Sequence, residues 1–172
     1  MISTVCVDQD GVLWIGTNGG DINVFSKGKR VAIYGADDGD LNGNPVQASL
    51  CDTKGNLWFG LFNGGLCYYN RTQKYFRQVF SKDKALIDVR AIYEDDHHTI
   101  WIGTSEGVYK AGLDGQLFWS ISIENEQVRC LFKDEQGFLW VGTFGGGVLV
   151  YSPDFKMIKL FLYGRAIPFK YN

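Results

Sequence analysis

The segment DQDGVLWIGTNGG, residues 8–20, returns three times along the chain: as DTKGNLWFGLFNGG at 52–65, DDHHTIWIGTSEG at 95–107 and DEQGFLWVGTFGGG at 134–147. The four tryptophans at its centre, Trp14, Trp58, Trp101 and Trp140, stand 44, 43 and 39 residues apart. Counted from each Trp, an Asp lies six residues earlier (Asp8, Asp52, Asp95, Asp134), a Gly two later (Gly16, Gly60, Gly103, Gly142) and another Gly six later (Gly20, Gly64, Gly107, Gly146). A period of this length marks a repeat architecture, and the residues inside it decide which one.

Each unit reads as four short strands. The first is STVCV, QASLC, RAIYE or RCLFK, preceded by Ile2, Val46, Val89 or Val128. Small residues alternate with larger ones along it, the period-2 pattern of a half-buried strand. The Asp-x-x-Gly that follows is a turn: Asp accepts a backbone hydrogen bond two residues on, and Gly11, Gly55 and Gly137 supply positive φ, with His98 as the exception. The second strand is LWIG, LWFG, IWIG or LWVG; a Gly-rich turn leads to a third, DINVF, LCYY, VYKA or VLVY; the fourth is VAIY, YFRQVF, LFWSISI or IKLFLY. Four antiparallel strands per unit of about 43 residues predict an all-β chain of β-propeller blades, at about 2–45, 46–88, 89–127 and 128–172, forming part or half of a larger ring. The tail GRAIPFKYN reads as the start of a further linker.

Composition agrees: 172 residues with 22 Gly, only 3 Pro, 15% aromatic residues and 45% hydrophobic ones. With 17 basic against 19 acidic residues, the chain has no electrostatic footprint for nucleic acid. No apolar run approaches the ~20 residues of a membrane span, and Met1 leads straight into a strand, so neither membrane contact nor a signal peptide is expected. Cys6, Cys51, Cys67 and Cys130 lack metal-site spacing. The loop Asp38-Gly39-Asp40-Leu41-Asn42-Gly43 copies half of a calcium loop, but Ser49 stands where the bidentate Glu is required. His97 and His98 diverge on a turn. No cofactor and no metal are expected.

The repeat, V-x-x-[LI]-x-x-D-x-x-G-x-[LI]-W-[IVF]-G-T-x-x-G-G, resembles that of the two-component regulator propeller, over residues 2 to about 163. DGDLNGNPV at 38–46 is similar to the linker between blades of that family, while Leu61, His98 and the single Gly107 depart from its pattern. The resemblance implies a periplasmic sensor module of a hybrid histidine kinase, normally followed by a β domain, a membrane span and the kinase. None of those later parts is recognisable here, so a fragment or truncated relative of the sensor is expected.

Residues repeated in every blade serve the blade; function is expected where blades differ. The opening positions of the first strands, Ser3, Gln47, Arg90 and Arg129, share one end of the blades with the loops that carry Asn18, Phe62, Asn63, Glu106 and Phe144. Guanidinium and amide groups beside aromatic rings suit an oligosaccharide or acidic sugar, through bidentate hydrogen bonds and stacking. The plainer reading has Arg90 paired with Asp88 or Glu124. A scaffold that binds protein is the alternative, carried by aromatics such as Phe118 and Trp119. A glycan hydrolase or lyase would need two facing carboxylates, and among Asp88, Glu106, Glu124 and Glu126 no pair stands out, so no catalysis is expected. Four blades with two open faces also predict self-association, most simply a two-fold homodimer that completes an eight-blade ring.

Overall fold

The computed structural model of the chain describes residues 1–38, 41–71, 73–79, 88–112, 117–123, 127–162 and 165–168. The described residues form four antiparallel sheets. Blade 1 holds β1 (Ile2–Val7), β2 (Leu13–Thr17), β3 (Ile22–Ser26) and β4 (Lys29–Tyr34); blade 2 holds β5 (Val46–Cys51), β6 (Leu57–Leu61), β7 (Gly65–Asn70) and β8 (Tyr75–Val79). Blade 3 holds β9 (Val89–Glu94), β10 (Ile100–Thr104), β11 (Gly107–Ala111) and β12 (Leu117–Ser122); blade 4 holds β13 (Gln127–Lys133), β14 (Leu139–Phe144), β15 (Val148–Tyr151) and β16 (Met157–Leu162).

One element departs from the sequence reading. The tail at 165–168 is a strand, β17 (Arg165–Pro168), paired antiparallel with β16 through Leu160↔Ile167 and Phe161↔Ala166. The edge of β16 presents unpaired backbone groups, and a short stretch that can extend satisfies them.

The Asp-x-x-Gly turn does more than reverse the chain. In blade 2, Asp52 Oδ1 accepts the backbone N–H groups of Lys54 (3.0 Å) and Asn56 (2.7 Å), while Oδ2 accepts the indole N–H of Trp58 at 2.9 Å. The same indole bond recurs in Trp14 to Asp8 (2.9 Å), Trp101 to Asp95 (2.9 Å) and Trp140 to Asp134 (2.8 Å). A bulky apolar ring is thereby buried without leaving its N–H unpaired. His98, where the other turns have Gly, adopts φ 59°.

The inner strands β1, β5, β9 and β13 are successive neighbours, but β13 and β1 are not packed together, so the four blades form an open arc. The indole of each blade lies on the face toward the next. Trp14 packs with Phe59 and Tyr69 of blade 2, Trp58 with Val89, Ile100 and Ile102 of blade 3, and Trp101 with Val128, Leu139 and Val141 of blade 4. The Gly two residues after each Trp admits the valine that opens the next blade. A Cβ on Gly16 would lie 2.6 Å from Val46 Cγ1, one on Gly60 2.6 Å from Val89 Cγ1, and one on Gly103 2.5 Å from Val128 Cγ1. The glycine is thus a hole and the valine its knob.

Polar ties reinforce these joints. Ser3 Oγ donates to Val46 O, and Thr4 Oγ1 lies 2.7 Å from Ser49 Oγ. Thr53 donates through N (2.7 Å) and Oγ1 (2.6 Å) to the Glu94 carboxylate. Arg71 reaches back to Asp8 at 2.6 Å, and Lys133 to Asp95 at 3.2 Å. Burial alone would raise the Asp8 and Asp95 carboxyls, yet the indole, the turn amides and these cations hold both below the ordinary carboxylate range.

Candidate functional site

Strand register fixes which side chains share a rim. The start of each inner strand pairs with the end of the second, as Ile2↔Thr17, Val46↔Leu61, Val89↔Thr104 and Gln127↔Phe144. The ladder continues into the loops, where Asn18 N donates to Met1 O, Phe62 N to Pro45 O and Ser105 N to Asp88 O. All nine predicted rim residues therefore lie at one end of the blades, opposite the Asp turns.

Two pairs are brought together there. The Arg90 guanidinium stands 5.5 Å from the Phe62 ring centre, and that of Arg129 4.9 Å from Phe144. The two arginines differ in freedom. Arg90 is clamped to Asp88 Oδ2 through Nε (2.8 Å) and Nη2 (2.6 Å), with 12% of its side chain exposed, so it belongs to the frame of the rim, as the plainer reading had it. Arg129 is exposed and makes one long bond, 3.4 Å, to Gln127 Oε1. Both rings face solvent: Phe62 is 37% and Phe144 68% exposed.

Asn18, Asn63 and Glu106 are exposed and Gln47 half-buried; their side chains make no bond to one another among the described residues. Asn63 takes φ 55° to turn the loop, and the Glu106 amide donates to Thr104 Oγ1 at 3.0 Å. Among the described residues the rim thus supplies two aromatic platforms and, in Arg129, a guanidinium outside any ion pair, spread along an arc. Glu124 and Glu126 lie outside the described residues, as do Gly39 and Asp40 of the calcium-like loop and the side chains of Phe118 and Trp119. In the described part of that loop, Asp38 Oδ2 accepts the Gly35 N–H at 2.7 Å and Leu41 is fully buried. No group of three or more His, Cys, Asp or Glu side chains suited to a metal ion occurs among the described residues.

At the opposite end a cleft between blades 3 and 4 is lined by Tyr93, Asp95, Asp96, His97, Lys133, Asp134, Glu135 and Gly137. Sequence reading missed it, because these are turn and strand-end residues from two repeats that meet only through blade packing. Its Asp95 and Asp134 are already committed to indoles.

Residues 1–19, 40–63, 86–106 and 122–145 match the two-component regulator propeller. The chain belongs to that family. This two-component regulator propeller is similar, at 44% identity and TM-score 0.81, to the extracellular domain of the hybrid two-component system BT3049 from B. thetaiotaomicron, over 94% of this chain and 22% of that one. A second extracellular domain, of BT4673 from B. thetaiotaomicron, superposes with TM-score 0.80 at 20% identity, over 95% of this chain and 23% of that one. Virginiamycin B lyase from Staphylococcus aureus shares the fold alone, at 13% identity and TM-score 0.73, over 91% of this chain and 54% of that one. The chain spans between a fifth and a quarter of the two extracellular domains it matches. No curated protein matches its sequence significantly.

Proposed function

We propose that this propeller is a non-catalytic, extracytoplasmic sensor module of a hybrid two-component signalling protein, periplasmic in its cell, and that its rim recognises a carbohydrate-type signal. The observation that carries the ligand class is the pair of solvent-facing phenylalanines, Phe62 and Phe144, each beneath a guanidinium on one rim. Sugar rings stack on such faces through their C–H surfaces, and a free guanidinium such as that of Arg129 reads a carboxylate by two parallel hydrogen bonds. Similarity to the extracellular domain of BT3049 supports both the compartment and the absence of catalysis.

The test is titration of the chain with neutral and uronic-acid-containing oligosaccharides, followed by chromatography for cleavage products. The expected result is saturable binding of the acidic oligosaccharides without turnover, weakened about tenfold by Arg129→Ala and by Phe144→Ala, in line with ~1–2 kcal/mol for one stacked or charge-assisted contact. Cleavage of any glycan, or binding indifferent to both substitutions, overturns the reading.

A further inference from the structure

Blades 1 and 2 meet along their inner strands, β1 and β5, and polar ties fix the register between the two from end to end. Ser3 Oγ donates to Val46 O, Thr4 Oγ1 lies 2.7 Å from Ser49 Oγ, and Gln9 Nε2 donates to Thr53 O at 2.9 Å. Two residues beyond Thr4 stands Cys6, and two beyond Ser49 stands Cys51. Side chains two apart on a strand share a face. The two thiols therefore follow the two hydroxyls across the same seam, with a tie on either side of them.

Packing agrees with register. Cys6 sits opposite Trp14 on the face of blade 1 that meets blade 2, and Cys51 opposite Leu57 on the face of blade 2 that meets blade 1. Both are half-buried against one cluster that holds Trp14, Leu57 and Tyr69. Cys51 is also near enough to act electrostatically on the Cys6 thiol. A disulfide needs β-carbons about 4 Å apart, and side-chain hydroxyls that hydrogen-bond across the seam need backbones spaced in the same range. The other two cysteines are placed differently. Cys67 lies on β7 with Phe59 between it and the inner strand, and Cys130 is exposed on blade 4.

We infer that Cys6 and Cys51 are the two halves of a disulfide that ties β1 to β5 across the seam between blades 1 and 2. The structure shows the reduced form, with both thiols free. In the oxidation, the thiolate of one cysteine attacks a disulfide, either of an oxidised dithiol protein or of glutathione, and expels one of its sulfurs as a thiolate. The second cysteine then attacks the mixed disulfide and expels the other sulfur, so that the pair loses two electrons and two protons and the oxidant becomes two thiols. Burial pushes both cysteine thiols up, Cys6 to about 11, so the exchange belongs to folding, before the seam has closed. The supply of an oxidant in the cell rests on the extracytoplasmic reading given above; the choice of partners rests on the seam alone.

The test refolds the chain from urea in a mixture of reduced and oxidised glutathione, which supplies the oxidant whatever compartment the protein occupies, and maps the links by mass spectrometry of non-reduced digests. In an unfolded chain closure favours the shorter loop, and Cys51 is 16 residues from Cys67 but 45 from Cys6. The chain held in urea is therefore expected to carry more of the Cys51–Cys67 link than of the Cys6–Cys51 link, and the refolded chain to carry Cys6–Cys51. Because that link closes a long loop, the urea midpoint of the oxidised chain is expected to lie about 1–2 M above that of the reduced chain. Cys6→Ser is expected to remove both the link and the rise. A refolded chain that stays reduced, or that joins Cys51 to Cys67, overturns the proposal. So does the same pairing with and without urea, or a Cys6–Cys51 link that leaves the midpoint where it was.

Discussion

Replacing Asp52 by alanine removes the group on which a whole turn and a buried indole depend. Asp52 is 2% exposed and accepts from Lys54 N, Asn56 N, Asn56 Nδ2 and Trp58 Nε1; Trp58 is completely buried. The indole N–H, left without water or acceptor, costs about 1–3 kcal/mol, and the turn amides, which water partly recovers, about 1 kcal/mol each. The sum is about 3–5 kcal/mol, at the upper end for a single substitution. With a urea m-value of about 2 kcal/mol/M, the midpoint falls by about 2 M. Asp134→Ala deletes the equivalent acceptor on the open blade 4 face, where Trp140 is only half-buried and water can replace the carboxylate. Its midpoint shift is expected to be smaller than that of Asp52→Ala by the share of the buried indole, about 0.5–1.5 M. Equal shifts from the two substitutions would refute the reasoning that burial of the indole adds to the cost of losing the turn.

Gly60→Ala places a methyl group 2.6 Å from Val89 Cγ1 and 2.7 Å from Val89 O, and the expected loss is about 1–3 kcal/mol by chemical denaturation; Val89→Ala added to it recovers only part, because the carbonyl remains. The carboxyls of Asp8, Asp95 and Asp134 all lie below their ordinary 3.8 in the folded chain, so they bind protons more readily when unfolded; the stability they contribute is fully present above that pH and drains away as pH falls below it. Thermal midpoints should therefore drop steeply below about pH 4, and Asp8→Asn should flatten that acid limb. A thiol reagent at pH 8 should modify exposed Cys130 first, while buried Cys67, and Cys6, whose thiol burial pushes up to about 11, react only on unfolding.

The blades were legible in the sequence because their signals are local. Trp, Gly and Asp at fixed offsets mark the hairpin, and period-2 alternation marks the strands on either side. What escaped depends on partners from other repeats. The Asp residues read as turn formers, but their bond to the indole requires the hairpin register that sets Leu50 opposite Trp58. The pairing of Arg71 with Asp8 joins two repeats and leaves no local trace. The tail read as linker became β17 because β16 offered it an edge. At the rim, register placed all nine candidates at one end, and the Arg90 clamp was foreseeable from Asp88 two residues earlier in the chain. Which arginine stays free follows only from packing.

The indole clasp is wholly internal to a blade, whereas the knob and the hole are spelled by one hydrophobic residue and one glycine at set places in every repeat. Consequently the apolar part of each seam is the same from blade to blade, while the polar ties across it differ. Duplication or deletion of a whole repeat therefore keeps a valine opposite a glycine at the new seam. Variation between blades then falls in the rim loops, where Asn18, Phe62, Ser105 and Phe144 occupy the same place in successive repeats.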